Sequence, residues 1–182
     1  MPVTPFHFGP AAAMKAATPK HFSFVVFGLS QVVIDMEPAF YMAQGAWPIH
    51  RFFHTYLGAT AVALIVAFLG KPLCEWVIRV WNSRLDDSQR DWLGINPKIT
   101  RSAALVGALF GAYSHVLLDS VMHADMRPLA PLSNANPLLY YISIEHLHLL
   151  CIAFGVVGAS ALLVLLLRRK LVARRETQGR LS

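Results

Sequence analysis

The chain has 182 residues, 55% of them hydrophobic and only 14% charged, with a formal net charge of +6 and a mean hydropathy of +0.49. A soluble domain usually carries about a quarter charged residues, so this composition excludes an ordinary soluble protein and points to a single all-α integral membrane domain, a polytopic helical bundle. The excess Lys and Arg form no basic stripe interleaved with aromatics, which argues against nucleic acid as a partner.

The opening MPVTPFHFGP shows neither the basic n-region nor the apolar h-region of a signal peptide. Residues 8–17 form a short helix that turns at Thr18-Pro19 into a first span over 20–36, which stops before Pro38. Ten residues of helix climb about 15 Å, so a re-entrant hairpin of this kind delivers His7 to the base of whatever lies at the far end of the first span. A second span covers 52–69 and ends at Gly70-Lys71-Pro72. Beyond it, Leu73, Trp76, Val77, Val80 and Trp81 recur at helical spacing, which predicts an interfacial amphipathic helix over 73–82 with its Trp residues at headgroup depth. A third span runs over 99–122, with Gly107 and Gly111 as a small-residue packing face. A fourth runs over 139–167 and stops at Arg168-Arg169-Lys170, leaving a basic tail over 168–182. Cys74 and Cys151 lie among apolar neighbours at no metal-binding spacing and read as buried free thiols. No internal repeat is visible, and no midplane binding feature of the kind a transporter needs.

With four spans and both termini cytoplasmic, all Lys and Arg except Arg51 and Arg127 fall on one side, as the positive-inside rule requires. The same topology gathers the chemistry at the opposite face. Asp35 and Glu37 end the first span, His50 and His54 begin the second, His115, Asp119, His123 and Asp125 end the third, and Glu145, His146 and His148 begin the fourth. Ionisable side chains in membrane segments point to function, and imidazole with carboxylate is a metal-ligand palette.

His115, Asp119 and His123 are spaced i, i+4, i+8. Each step turns a helix by about 40° and rises about 6 Å, so all three face one way but spread too far for one ion. The spacing predicts two divalent ions, zinc first and iron or manganese as alternatives, with Asp119 between them. His7, Asp35, His50, His54, His115, Asp119, His123 and His148 are the candidate ligands. His50/His54 repeat the i, i+4 interval, and Glu145/His148 share a face at i, i+3. Asp35 and Glu37 also suit the task of orienting histidines. His146 points elsewhere.

The stretches TPFHFGPA, DMEP, HRFFHT and SHVLLDSVMHADMRPL resemble the predicted inner-membrane metal-dependent hydrolases, small bacterial proteins of the LexA-binding, domain-of-unknown-function type. HVLLDSVMH is also similar, at a distance, to the HxxxD-plus-His pattern of zinc phospholipases C and related nucleases. That resemblance implies His115 and Asp119 as ligands and Asp119 as the bridge. Those enzymes are soluble and carry a further HxxxE or HxxxD pair, whereas position 141 here is Tyr and leaves Glu145 without that partner.

The chemistry these residues predict is metal-assisted hydrolysis of a phosphoester, with a lipid headgroup as one candidate substrate. Arg51 and Arg127 would clamp an anion, Asp125 or Glu145 would act as general base, and the proline-rich loop over 127–137 would roof the site. Two other classes remain open: a di-iron oxidoreductase built on Glu145/His148 with Asp35, Glu37 and Asp119, and a non-enzymatic membrane protein whose polar network is structural. The sequence does not disclose an oligomeric state.

Overall fold

The computed structural model describes residues 5–179. After a 3-10 turn at Pro5–His7 come α1 (Phe8–Ala17), α2 (Phe24–Ala43), α3 (Tyr56–Ile65), a π-helical turn at Val66–Gly70, α4 (Lys71–Ser83), α5 (Asp87–Leu93), α6 (Arg101–Met122) and α7 (Ile144–Gly179). Among the described residues there is no strand, and four helical stretches are long and apolar enough to cross a membrane: Phe24–Ala43, Tyr56–Ser83, Arg101–Met122 and Ile144–Val172. The starts of three are set by hydroxyl caps. Ser23, Thr55 and Thr100 accept the backbone N–H of Val26, Gly58 and Ala103 through their side-chain oxygens.

α6 is the centre of the bundle. α2 and α3 pack on it through Val26, Ile34, Ala59, Val62, Ala63, Ala104, Ala108, Ala112 and Val116, all buried. Small residues on α6 let α2 come close. A Cβ on Gly111 would lie 2.0 Å from Ser30 Oγ, so only glycine permits this separation. α1 doubles back along α2, closed by Lys15 Nζ donating to the carbonyls of Pro19 and Phe22, each at 2.7 Å. The Phe8 ring rests against Phe24 and Phe27. α7 packs chiefly on α1 and otherwise faces outward, with only 11% of its most apolar window buried.

Three expected boundaries shift. The first span does not stop at Pro38, which lies inside α2. An interior proline costs about 3 kcal/mol, but the following loop holds the last turns. Glu37 accepts backbone N–H groups from Arg51 and Phe53, and the Arg51 guanidinium sits 3.7 Å from the Tyr41 ring centroid. The second span does not end at Gly70, and the amphipathic segment is its continuation as α4 rather than a separate helix. A Pro72 ring in a straight α-helix would strike the carbonyl of Phe68, and the wider π turn directly before it gives the room. Leu73, Trp76, Val77, Val80 and Trp81 are exposed, as a lipid-facing surface requires, while Cys74 and Ile78 turn inward. The fourth helix starts five residues late, at Ile144, and continues through the basic run to Gly179, because Arg and Lys are good helix formers and no Gly or Pro lies between Arg168 and that glycine. Lys170 Nζ lies 3.3 Å from the Trp92 ring centroid, so this basic end and α5 share one end of the bundle. Arg180 lies outside the described residues.

Candidate metal centre

Asp119 is the hub. It projects from the last full turn of α6, with its side chain 5% exposed. Its Oδ2 lies 3.2 Å from His115 Nε2 and 3.7 Å from His54 Nε2. Its Oδ1 lies 3.3 Å from His7 Nε2 and 4.0 Å from His123 Nε2. Asp35 Oδ1 reaches His115 Nε2 at 3.4 Å. Asp35, His54, His115 and Asp119, all buried, can place one ligand atom each within 4.8 Å of one another, and His50, His123 and Asp125 form a second such group. The groups adjoin. The His50 ring lies 4.7 Å from His54 and stacks at 4.4 Å on His123.

Three of the histidines are held from behind. The Glu37 carboxylate accepts the N–H of Arg51 and Phe53 at 3.0 Å and faces His54 Nδ1 at 3.2 Å. A carboxylate only accepts, so His54 donates from Nδ1 and keeps its Nε2 lone pair for the centre. Asp125 does the same for His50. Its Oδ1 takes His50 Nδ1 at 2.8 Å, and its Oδ2 takes the N–H of Ile49 and His50 at 3.0 and 3.1 Å. Gln31 holds His115 Nδ1 at 2.7 Å. His54 Nε2 and His115 Nε2 are buried with no hydrogen-bond partner. Burial pushes the His54 and His123 rings down, favouring the neutral ligand form. At Asp125 burial works upward but is outweighed by the bonds from His50 and the two amides, so its carboxyl stays below the usual range.

His50 and His54 do not form a helical pair. Both lie before Thr55, which caps α3, and the loop sends one to each group. The hairpin expectation for His7 is met: the 3-10 turn ahead of α1 sets it against Asp119, with its ring 4.7 Å from His115. α7 does not furnish the fourth wall. Glu145 is exposed and belongs to neither group. His148 stacks on Phe6 at 4.1 Å with a buried, unbonded Nε2, also outside both groups. His7, also outside both groups, is the residue from the N-terminal turn that lies beside Asp119. Asp125 accepts from His50 Nδ1 and two backbone amides, contacts suited to orienting His50, and belongs to the second group. Arg51 is occupied with Tyr41 and the Pro48 carbonyl, 2.9 Å from its Nε, and Arg127 is exposed. Sequence reasoning missed Gln31 altogether. The available signal was a lone amide in an apolar span, one turn before Asp35.

The fold and this cluster define an all-helical membrane protein with buried imidazoles and carboxylates converging at one end of the bundle. The chain belongs to the family described as a domain of unknown function, DUF4184, which it matches over residues 1–180. No curated protein and no solved structure matches it.

Proposed function

We propose that this protein is a metal-dependent hydrolase of the bacterial inner membrane, cleaving a phosphoester, lipid-linked substrates included. In this reading its termini are cytoplasmic and its metal centre faces outward. The observation that carries the proposal is the pair of buried, unbonded lone pairs on His54 Nε2 and His115 Nε2, both turned toward Asp119 Oδ2. A lone pair facing a carboxylate is repulsive unless a cation lies between them or the ring is protonated.

The donor set fits a cation. Ligands about 2.0–2.1 Å from a tetrahedral zinc lie about 3.3 Å from each other. Three imidazole–carboxylate separations in the cluster are 3.2, 3.4 and 3.7 Å, and all four ligand atoms lie within 4.8 Å of one another. Four carboxylates (Asp35, Glu37, Asp119, Asp125) gather with five imidazoles. Buried anions need compensation, and two divalent cations balance four carboxylates with every imidazole neutral. His7 and His123, on the Asp119 Oδ1 side, adjoin the second position. Divalent cations held here would supply Lewis acidity toward a phosphoryl oxygen and acidify a bound water. Asp119 would hold both positions, Glu37 and Asp125 would fix His54 and His50, and exposed Arg127 is the anion-binding candidate. His123 has a side chain 23% exposed, so approach to the centre is from its side, under the loop over 127–137. That loop is tied down by the Pro128 carbonyl accepting Tyr56 N–H and by Asn136 Nδ2 donating to the Ser120 carbonyl.

The resemblance to the predicted inner-membrane hydrolases supports this reading, while the LexA-binding part of that description adds nothing to it. The di-iron alternative gains no support, since its Glu145 lies outside the cluster. The test is release of phosphate or headgroup from phospholipid and from water-soluble phosphomonoesters by purified protein, with and without chelator. Turnover abolished by chelator and restored by zinc supports the proposal; turnover indifferent to chelator, or none on any ester of the panel, rejects it.

A further inference from the structure

Gln31 lies on α2 one turn before Asp35 and is 2% exposed. Its Nε2 donates to the Gly111 carbonyl at 2.8 Å, and its Oε1 lies 2.7 Å from His115 Nδ1. These two contacts fix the hydrogens. A backbone carbonyl only accepts, so the end of the amide facing Gly111 is the NH2 group. The other end is then the amide oxygen, and His115 Nδ1 must carry the proton. In the neutral ring the lone pair is then at Nε2, which is buried, has no hydrogen-bond partner, and lies 3.2 and 3.4 Å from oxygens of Asp119 and Asp35.

We infer that Gln31 is a positioning residue that locks His115 with Nδ1 protonated and so presents Nε2 to a divalent cation among Asp35, His54, His115 and Asp119. The inference rests on the metal reading above and adds the reason for an amide at this place. His54 and His50 are oriented by anions, Glu37 and Asp125. Gln31 orients its histidine without adding a fifth negative charge. A glutamate carboxylate could not replace it, because one oxygen would face the Gly111 carbonyl, acceptor against acceptor. Gly111 takes part twice: its carbonyl anchors the amide, and its missing side chain lets α2 approach until the amide reaches His115.

The test loads wild-type protein and Gln31→Met, which keeps the length of the side chain, with Co(II) in detergent. It reads affinity by chelator competition and geometry from the visible absorption bands. Partners of this kind change metal affinity about 10–100-fold. The expected result is a loss of that size in Gln31→Met, with altered bands and a metal-free protein that keeps its helical circular-dichroism spectrum. Equal affinity and identical bands in the two proteins would overturn the inference while leaving the metal reading intact. Absence of cobalt uptake by wild type would remove the metal reading itself. Should Gln31→Met not fold, 15N-histidine spectra of the zinc-loaded wild type decide. His115, assigned by its loss in His115→Asn, should carry its proton on Nδ1, and a proton on Nε2 refutes the lock.

Discussion

Asp119 presents its two oxygens in two directions, one to His54 and His115, the other to His7 and His123. Around it, the imidazoles are aimed by what lies behind them. Glu37→Gln keeps the size of the side chain but leaves His54 with a weaker acceptor, and should lower zinc affinity about 10–100-fold, read by chelator competition. Glu145→Gln should leave that affinity within about twofold, because an exposed carboxylate outside the cluster loses little on neutralisation; an equal loss in both variants would put the fourth helix back into the site. The α6 residues were legible in the sequence because helical periodicity ties His115 to Asp119 wherever the helix goes. His50 and His54 show the same interval, yet Thr55 caps the next helix after them, and loop geometry has no period to read. Gln31 was illegible for a different reason: its role exists only through the tertiary approach of α2 to Gly111.

At the scale of elements, the cluster depends on how closely α2 crosses α6. Gly111→Val would drive a side chain into Ser30 and the Phe27 carbonyl. Overpacking of this kind costs about 1–3 kcal/mol, and here it would also pull Gln31 and Asp35 off His115. The expected outcome is a lower melting temperature together with loss of bound metal; retained metal at wild-type stoichiometry would mean the close contact does not assemble the site. α1 offers a separate handle. His7→Ala removes one imidazole without touching the core between α2, α3 and α6, so the fold should persist while zinc is held more weakly, as circular dichroism and chelator competition would record. The re-entrant hairpin was readable from the turn at Thr18-Pro19 and the rise of a ten-residue helix. The continuity of α3 into α4 was not, because Gly70-Lys71-Pro72 carries every local sign of a helix end, and only a π turn carries the chain through it.

For the whole molecule, four apolar helical stretches and their charge bias define a sidedness that can be measured directly. Cys74 and Cys151 are buried, so a thiol-reactive, membrane-impermeant probe should meet little background. A cysteine at Leu132, 96% exposed in the loop after α6, should label in intact spheroplasts. One at Asn96, between α5 and α6, should label only after permeabilisation. The reverse pattern would place the imidazole–carboxylate cluster on the cytoplasmic side and overturn the outward-facing proposal. The number of spans was legible from hydropathy alone, since length and apolar content do not depend on how the helices meet. Which helix tips meet was not: α7 has the right residues at its start but docks on α1, and the N-terminal turn takes its place beside Asp119.

The most direct test of the account is elemental analysis of the protein purified without added metal, run beside Asp119→Asn. Wild type should carry at least one tightly held divalent cation per chain and take up a second on titration, while the folded variant carries none at comparable free metal. Wild-type protein as empty as the variant, and still empty after titration with zinc, iron and manganese, would mean that the imidazoles and carboxylates hold only one another.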